Sequence, residues 1–197
     1  MKSQQDGNLE AVDQHGDGEP LWLTAEEHAE RRLTPEERGD GEPRWLTAEE
    51  MEAWLALAAV VIKLPAALDA QLQRDAGITH FQYLVLANLS EAPGRTRRMS
   101  ELAELTNGSL SRLSHVMSRL EERGWVRREP CQENGRYTNA ILTCEGWDKV
   151  VATAPGHVET VRQLVIDALS ATQRRQLRDI GRRVLARVEA DAGSLPG

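Results

Sequence analysis

The chain of 197 residues lacks the features that mark several common classes of protein. Two cysteines are too few for a disulfide scaffold in a chain of this length, and they suit a reducing cytoplasm. The sequence has no run of about 18 consecutive apolar residues, which a membrane span needs. Its most apolar stretch, residues 53–64, is shorter and contains Lys63. The polar, acidic first 20 residues have no apolar secretory core. These absences predict a cytoplasmic protein without a membrane partner.

Motifs of catalysis and of metal binding are also missing. The sequence contains no glycine-rich phosphate loop, no GxSxG elbow and no HExxH pair. Its five histidines show no metal-ligand spacing with the cysteines. The sequence therefore predicts that the protein is not an enzyme, holds no metal and needs no cofactor.

Charge is distributed unevenly along the chain. The formal net charge is -7, which taken alone disfavours a nucleic-acid partner. Residues 1–52, however, hold 15 acidic and 5 basic groups, so the remaining 145 residues carry a balance of +3. Nine arginines lie between Arg95 and Arg136, against six glutamates. A basic segment is thus present in a protein that is acidic only on average.

The N-terminal quarter contains an internal copy. GDGEPLWLTAEE at 16–27 and GDGEPRWLTAEE at 39–50 agree at 11 of 12 positions. The second copy leads into an apolar-periodic segment, where Thr47 and Glu50 have the spacing of a helix capping box. We interpret 1–42 as an acidic, disordered tail. The alternative is a short helix that docks through Trp22 and Leu23.

The remaining pattern predicts a mainly α fold with a small β-hairpin. Helix 1 covers about 48–74, with a kink or short break at Pro65. Thr79 is the expected cap of a second helix, and helical stripes follow from there onward. Strands at 125–129 and 137–143 flank the turn signal Asn134–Gly135. Two long helices complete the chain over 144–190. Thr143 opens the first of them, which is bent at Pro155. This order is that of a winged helix-turn-helix flanked by long terminal helices.

Two short helices separated by Thr106–Asn107–Gly108 form the predicted helix-turn-helix. Ser100 is the expected cap of the first, and the second covers 109–123. A helical wheel puts five apolar side chains of the second helix on one arc: Leu110, Leu113, Val116, Met117 and Leu120. The opposite arc carries polar side chains that can meet phosphates or base edges: Ser111, Arg112, His115, Ser118 and Arg119. A solvated face is the plain alternative, but the arginine-bearing hairpin that follows favours DNA contact.

The run MSELAELTNGSLSRLSHVMSRLEERGWVRREPCQENGRYTNAILTCEGW resembles the MarR family of bacterial winged-helix regulators. ITHFQYLVLANL also resembles that family's second helix, and the resemblance covers about 43–192. It implies a homodimer with interlocked terminal helices, and predicts a winged-helix domain at 43–192 followed by a tail at 193–197. The DNA-binding lobe would cover about 79–143, with dimerisation helices at about 48–74 and 144–190.

The resemblance also implies roles for single residues. Ser109, Ser111, Arg112 and His115 match the groove-facing positions, and Arg136 matches the wing-tip arginine. The basic residues Arg97, Arg98 and Arg119 complete the predicted DNA-binding set. One departure from the family is Asn134, where the family usually has an aspartate that braces the wing through an ion pair; Glu133 is a possible substitute.

These expectations combine into a functional hypothesis. The protein is predicted to be a homodimeric, sequence-specific repressor that binds a near-palindromic double-stranded operator. The family resemblance implies a small aromatic or phenolic effector, and the candidate ligand-binding residues are Trp54, His80, Tyr83 and His157. Packed amphipathic side chains are the alternative interpretation of these four.

A second hypothesis involves the two cysteines. Cys131 lies in the wing and Cys144 lies at the start of the fifth helix, and oxidation in the wing would shift Arg136 and loosen DNA. Two ordinary cysteines without a redox role are the alternative interpretation. The competing functional class is therefore a winged-helix protein-interaction or redox-sensing module with little DNA binding of its own.

Overall fold

A computed structural model describes residues 44–131 and 134–192. Predictions for the segment 1–42, for Glu133 and for residues 193–197 fall outside the described residues, as does the predicted domain boundary after residue 42. The chain divides into two compact units, Met1–Ala58 and Ala59–Gly197.

The described residues form helices and a small sheet. In chain order the elements are α1 (Ala48–Ala76), α2 (His80–Ser90), β1 (Thr96–Arg98), α3 (Met99–Leu105), α4 (Leu110–Glu122), β2 (Val126–Pro130), β3 (Thr138–Leu142), α5 (Cys144–Val161) and α6 (Ala171–Ala192). A single 3₁₀ turn, Pro93–Arg95, precedes β1, and a π-helical turn, Arg162–Ile166, follows α5. The prediction of a mainly helical fold with a small sheet is confirmed.

The capping box predicted at the start of α1 is present. The backbone N–H of Thr47 donates to Glu50 Oε2 at 2.8 Å, and the Glu50 N–H donates to Thr47 Oγ1 at 3.3 Å. These bonds satisfy two of the N–H groups that every helix start leaves without a helical partner. The second copy of the repeat is thus a helix start.

The helix α1 runs through Pro65 without interruption, so of the two predicted outcomes the short break is wrong and the kink stays a prediction. Pro65 is exposed, and water can bond the carbonyl that loses its helical partner there. By length and composition alone, α1 is also long and apolar enough to cross a membrane, with 6% of the relevant window buried. The sequence analysis missed this property because it counted consecutive apolar residues, whereas the mean hydropathy of the helix is high despite its few polar residues.

The core of the second unit is centred on α2. Thr79 caps this helix with a complete capping box, in which Thr79 Oγ1 accepts from the Gln82 N–H and Gln82 Oε1 accepts from the Thr79 N–H. The largest fully buried side chains are Leu72, Ile78, Val85, Leu86, Leu89, Leu102, Leu113, Met117 and Leu120. Ile78 lies between α1 and α2, and the other eight come from α1 to α4, so α2, α3 and α4 share one apolar core with the end of α1.

The sheet has three antiparallel strands in the order β1-β3-β2. The β2–β3 hairpin was predicted, and Arg128 pairs with Ala140 across it. The strand β1 was not predicted, and it pairs Arg97 with Ala140 on the other side of β3. Three residues, Thr-Arg-Arg, are too few and too polar to show alternation. Because β1 leads directly into α3, the N-cap of α3 is Arg98 and not the predicted Ser100.

The last two helices differ in how much they bury. Thr143 caps α5 as predicted, and α5 continues through the exposed Pro155 before the π-helical turn. Helix α6 begins with a capping box between Ser170 and Gln173. Every residue of α6 from 171 to 191 is exposed, including a stripe of large apolar side chains: Leu177, Ile180, Val184, Leu185 and Val188.

Candidate nucleic-acid interface

The turn between α3 and α4 is held close to α2. A Cβ atom at Gly108 would lie 2.8 Å from the Phe81 ring, so any larger residue there would force the ring to move. The Thr106 hydroxyl donates to the Leu102 carbonyl at 2.7 Å and helps to satisfy the end of α3. Asn107 has a positive φ of 48°, a conformation that asparagine tolerates better than most residues. The predicted helix-turn-helix is therefore built as a tight turn against Phe81.

The helix α4 has a buried face and an exposed polar face. Ser109 caps it by accepting from the Arg112 N–H at 3.2 Å. Leu113, Met117 and Leu120 are fully buried. The opposite face exposes four of the predicted groove-facing side chains, which are Ser111, Arg112, His115 and Arg119. Helix α4 has 13 residues and is about 20 Å long, which is long enough to follow a DNA groove.

Arg112 is oriented by an aromatic ring. Its guanidinium carbon lies 4.2 Å from the centroid of the Phe81 ring. Such a cation–π contact limits the positions that a long side chain samples. The same ring thus packs against the turn at Gly108 and supports the arginine of the exposed face.

Two positions on α4 differ from the helical-wheel prediction. Leu110 is 56% exposed rather than buried, because it is the first residue of the helix, where the wheel's apolar arc extends past the core. It lines an open cleft of about 350 Å³ together with Ser100 and Ala103 of α3. Ser118 is part-buried rather than groove-facing, since its hydroxyl accepts from Arg128 at 3.1 Å.

The tip of the wing is a local turn organised by Asn134. The Asn134 Oδ1 accepts from the backbone N–H of Arg136 at 3.1 Å, and the Asn134 carbonyl accepts from the Tyr137 N–H at 3.0 Å. A side chain that bonds the backbone two residues on mimics a backbone turn. The Arg136 side chain is exposed. Asparagine at 134 thus fixes the backbone at Arg136 by a hydrogen bond to its N–H.

The arginines of β1 are placed differently from each other. Arg97 is held within the lobe, where its Nε donates to the Asn88 carbonyl at 3.1 Å and its Nη1 pairs with Glu101. Arg98 is exposed, and its guanidinium carbon lies 4.9 Å from the centroid of the Tyr137 ring in the wing. Of the two, only Arg98 extends the surface that carries Arg136.

Three of the four predicted ligand-binding residues are neighbours. The Tyr83 and His157 rings lie 4.5 Å apart between centroids, and the His80 and His157 rings lie 6.1 Å apart. His157 Nδ1 is 3.4 Å from Oε1 of the buried Gln71. Trp54 belongs to the other unit and is exposed. The cleft beside Leu110 is lined by none of the four.

Burial determines the protonation of this ring cluster. It lowers the pKa of His80 below its ordinary value, an effect that the negative charge of Asp69 opposes. Burial, and then the nearby His80, lower the pKa of His157. Burial also raises the pKa of the Tyr83 hydroxyl. The cluster therefore favours neutral imidazoles and a neutral phenol.

The two cysteines are not equivalent. Cys131 is buried directly after β2, next to the wing tip, where its N–H donates to the Tyr137 carbonyl at 2.8 Å. Cys144 is exposed at the first position of α5.

Among residues 44–131 and 134–192, no group of three or more His, Cys, Asp or Glu side chains is placed to hold a metal ion.

Comparison with known proteins identifies close relatives of this fold. The family model described as "MarR family" matches residues 76–136, which cover the helix-turn-helix, β2 and the wing tip up to Arg136. The MarR family transcriptional regulator Sco3205 from Streptomyces coelicolor, solved in complex with DNA, is 49% identical, with a TM-score of 0.70. That match covers 74% of this chain and 91% of Sco3205. AbsC, another MarR family regulator from the same organism, is 37% identical with a TM-score of 0.71, covering 75% of this chain and 99% of AbsC.

A more distant relative is the transcriptional repressor MprA of Escherichia coli. It is 27% identical over 113 residues, which cover 57% of this chain and 64% of MprA. The match thus spans somewhat less than two thirds of that repressor.

The match to Sco3205 is high in identity and covers nearly all of that chain, and the family model falls on the two elements that form the exposed arginine-bearing surface. Members of this family are transcriptional regulators and not enzymes, which agrees with the absence of catalytic motifs from the sequence. The chain belongs to the MarR family of transcriptional regulators.

Proposed function

We propose that this protein is a homodimeric, sequence-specific repressor that binds double-stranded DNA and is released from it by a small ligand. The observation that carries the proposal is the exposed face of α4, with Ser111, Arg112, His115 and Arg119, beside a wing that exposes Arg136. A DNA partner for the chain fits the Sco3205 structure, which contains DNA. Its site of action would then be the cytoplasm.

The proposed division of labour follows the chemistry of the two elements. A helix fits the major groove, where the guanidinium of Arg112 can donate two hydrogen bonds to guanine O6 and N7. A projecting arginine such as Arg136 suits the narrow minor groove, whose negative potential attracts it. Arg112 would thus read sequence, while Arg136 would supply affinity.

The proposal of a homodimer rests on the exposed apolar side chains of α6. A helix of 22 residues in which every residue from 171 to 191 is exposed gains little stability from packing within its own chain. Its apolar stripe, from Leu177 to Val188, would be covered by a second copy, and the exposed Val151 and Val158 of α5 extend the apolar surface. Two lobes related by a two-fold axis would read half-sites about 34–36 Å apart in a near-palindrome.

The cluster of His80, Tyr83 and His157 supports a ligand site. It joins α2 of the lobe to α5, and neutral aromatic rings provide stacking surface and hydrogen bonds for a small phenol or aromatic acid. A ligand that binds better to one arrangement of α2 and α5 would shift the population of lobe spacings and so the affinity for the operator.

A footprint on the DNA upstream of the protein's own gene tests this function. We expect a protected near-palindrome. The affinity of the protein for it should fall steeply with salt, by about 0.9 logarithmic units per tenfold rise in salt concentration for each phosphate neutralised. Small phenols and aromatic acids are then added to the same reaction, and the class of compound that binds the ligand site should weaken the protection. Absence of protection even at low salt would reject the repressor and favour the protein-interaction module.

A further inference from the structure

Arg128 makes a fork of hydrogen bonds that joins the wing to α4. It lies in β2, and its Nε donates to Glu121 Oε2 at 3.0 Å. Its Nη1 donates to Ser114 Oγ at 3.3 Å, and its Nη2 donates to Ser118 Oγ at 3.1 Å and also pairs with Glu121. The three acceptor residues follow one another at spacings of four and three, so they share one face of α4. One guanidinium thus spans two turns of the helix.

The fork occupies the Arg128 guanidinium within the protein. The side chains of Arg128 and Glu121 are each only 29% exposed. The neighbouring Arg127 differs, since its side chain is 51% exposed and pairs with Glu129 of the same strand. Adjacent arginines of β2 therefore have separate environments, one turned toward α4 and one toward solvent.

The wing tip is tied to Arg128 through the hairpin. Arg128 pairs with Ala140 of β3, and the two strands lead from this pair to the turn that carries Arg136. At that turn, the Asn134 side chain fixes only the local backbone. Among the described side-chain hydrogen bonds, those of Arg128 are the ones that link β2 with α4. The fork thus adds a polar link between the wing and α4 to the apolar packing of Val126, Ala140 and Leu142 in their shared core.

We propose that Arg128 is a positioning residue that fixes the wing arginine Arg136 relative to the groove-facing side of α4 without contacting DNA itself. This inference rests on the proposed function, because the groove and wing contacts are what the fork aligns. A misplaced wing cannot make its DNA contact even though Arg136 remains intact, since a small displacement is enough to break a hydrogen bond.

Lysine cannot replace arginine in this role. The guanidinium is planar and presents five N–H donors in fixed directions, whereas an ammonium is a compact charge on a flexible stem. Lysine at 128 could pair with Glu121 but could not also hold Ser114 and Ser118 in the same geometry. Arg128→Lys keeps the positive charge, so weaker DNA binding by this variant would show that the geometry of the fork is needed and not only the charge.

The test is a double-mutant cycle with a matched control. Arg128→Met and Arg127→Met remove the same charge from adjacent residues, and each is combined with Arg136→Ala. The probe is the duplex that the wild type protects upstream of its own gene. We expect Arg136→Ala to weaken binding about tenfold. Arg128→Met should weaken it by a similar factor, and the double variant Arg128→Met/Arg136→Ala should bind no more weakly than either single variant.

Other outcomes of the cycle would overturn the proposal. If the two losses multiply in the double variant, Arg128 contributes independently of Arg136 and contacts DNA directly. The proposal is equally wrong if Arg128→Met binds like the wild type, or if Arg128→Lys restores full affinity. The Arg127→Met control should leave the tenfold effect of Arg136→Ala unchanged.

Hydrogen exchange separates this inference from the proposed function. Amides of β2 and β3 should exchange faster in Arg128→Met than in Arg127→Met, while those of α2 stay unchanged, which also establishes that both variants fold. If the wild type bound no DNA, the proposed function would fail, and this comparison would still decide on the fork. Equal exchange in the two variants would contradict it.

Discussion

The DNA-binding lobe, from His80 to Leu142, differs from the last helix, α6, in whether its apolar side chains are buried. The lobe covers its apolar side chains within one chain, with Leu86, Leu113 and Met117 among those that are fully buried. Helix α6 has an apolar stripe of similar composition and leaves it exposed. The lobe buries its apolar side chains within its own chain, whereas those of α6 are exposed and would be covered only in the proposed dimer.

This difference separates two tasks. Reading of DNA is assigned to a region that holds its shape without a second copy, since Gly108 and Arg112 are both positioned by Phe81 of the same chain. In the proposed dimer, the exposed apolar helices would set the spacing between two such regions. A ligand could then change the spacing and leave the DNA-reading surface intact.

The largest expected effect is a break in the partner-dependent region. Val184→Glu puts a charge into the apolar stripe of α6, and burying an unpaired carboxylate against a second copy is costly. We expect the protein to change from dimer to monomer in sedimentation experiments. Affinity for the operator should fall by about a hundredfold or more, because the two half-sites are no longer bound by one molecule.

The matched control for this variant is Ala186→Glu. At 100° per residue, position 186 lies on the opposite side of α6 from 184, and it is exposed in the same way. The control introduces the same charge and should leave the protein dimeric. A dimeric Val184→Glu protein would place the interface elsewhere.

Within the lobe, Arg112 and Arg136 should differ in the kind of loss that they cause. We expect Arg112→Ala to cost about 1–3 kcal/mol on the preferred site and to relax the sequence preference, as for loss of a bidentate base contact. Arg136→Ala should weaken binding to all sequences evenly and reduce the salt slope by about one, since one phosphate charge fewer is neutralised. Selection from a randomised DNA library, read by sequencing, measures the sequence preference, and titrations at several salt concentrations measure the slope.

Neither Arg112→Ala nor Arg136→Ala should change the oligomeric state, because both residues lie in the lobe and not in α6. The pair therefore tests whether the lobe acts independently of α6. Equal effects of both variants on sequence preference would contradict the roles assigned to α4 and to the wing. A change in oligomeric state in either variant would contradict the independence of the lobe.

The smallest expected effect concerns pH and the contact between α2 and α5. Because burial lowers the pKa values of His80 and His157 in the folded protein, the unfolded chain binds more protons just below the ordinary histidine pKa of about 6.5. The free energy of unfolding should therefore be highest above pH 6.5 and fall as the pH decreases through that value toward the folded pKa values. Urea unfolding at a series of pH values on both sides of the ordinary histidine pKa measures this.

Replacing both histidines should flatten the pH dependence over this range. The double variant His80→Asn/His157→Asn retains polar side chains of similar size but takes up no proton. A pH dependence that persists unchanged in the double variant would mean that other groups produce it.

The amino-acid sequence predicted most of this fold, because its signals were local. Thr47, Thr79 and Thr143 were identified as helix caps from their positions before apolar stripes, and all three caps are present. Asn134–Gly135 located the hairpin turn. The exposed face of α4 followed from helical periodicity alone.

What the sequence did not reveal depends on contacts between distant residues. The strand β1 exists only because β3 offers it a paired edge, and Thr-Arg-Arg has no strand pattern of its own. Arg97 and Arg128 look like free surface cations in the sequence, yet each is bound to other elements. Ser118 belongs to the Arg128 fork and not to the predicted groove face for the same reason. A helical wheel places residues around one helix and cannot include what packs against it.

The most direct test of a regulator that binds DNA as a dimer is the stoichiometry of its complex with DNA. Native mass spectrometry of the full chain on the duplex that it protects would count the copies bound. We predict two chains of 22.0 kDa per duplex, with binding of the second chain cooperative. One chain per duplex, or no complex at low salt, would contradict a regulator that reads two half-sites through a shared helical interface.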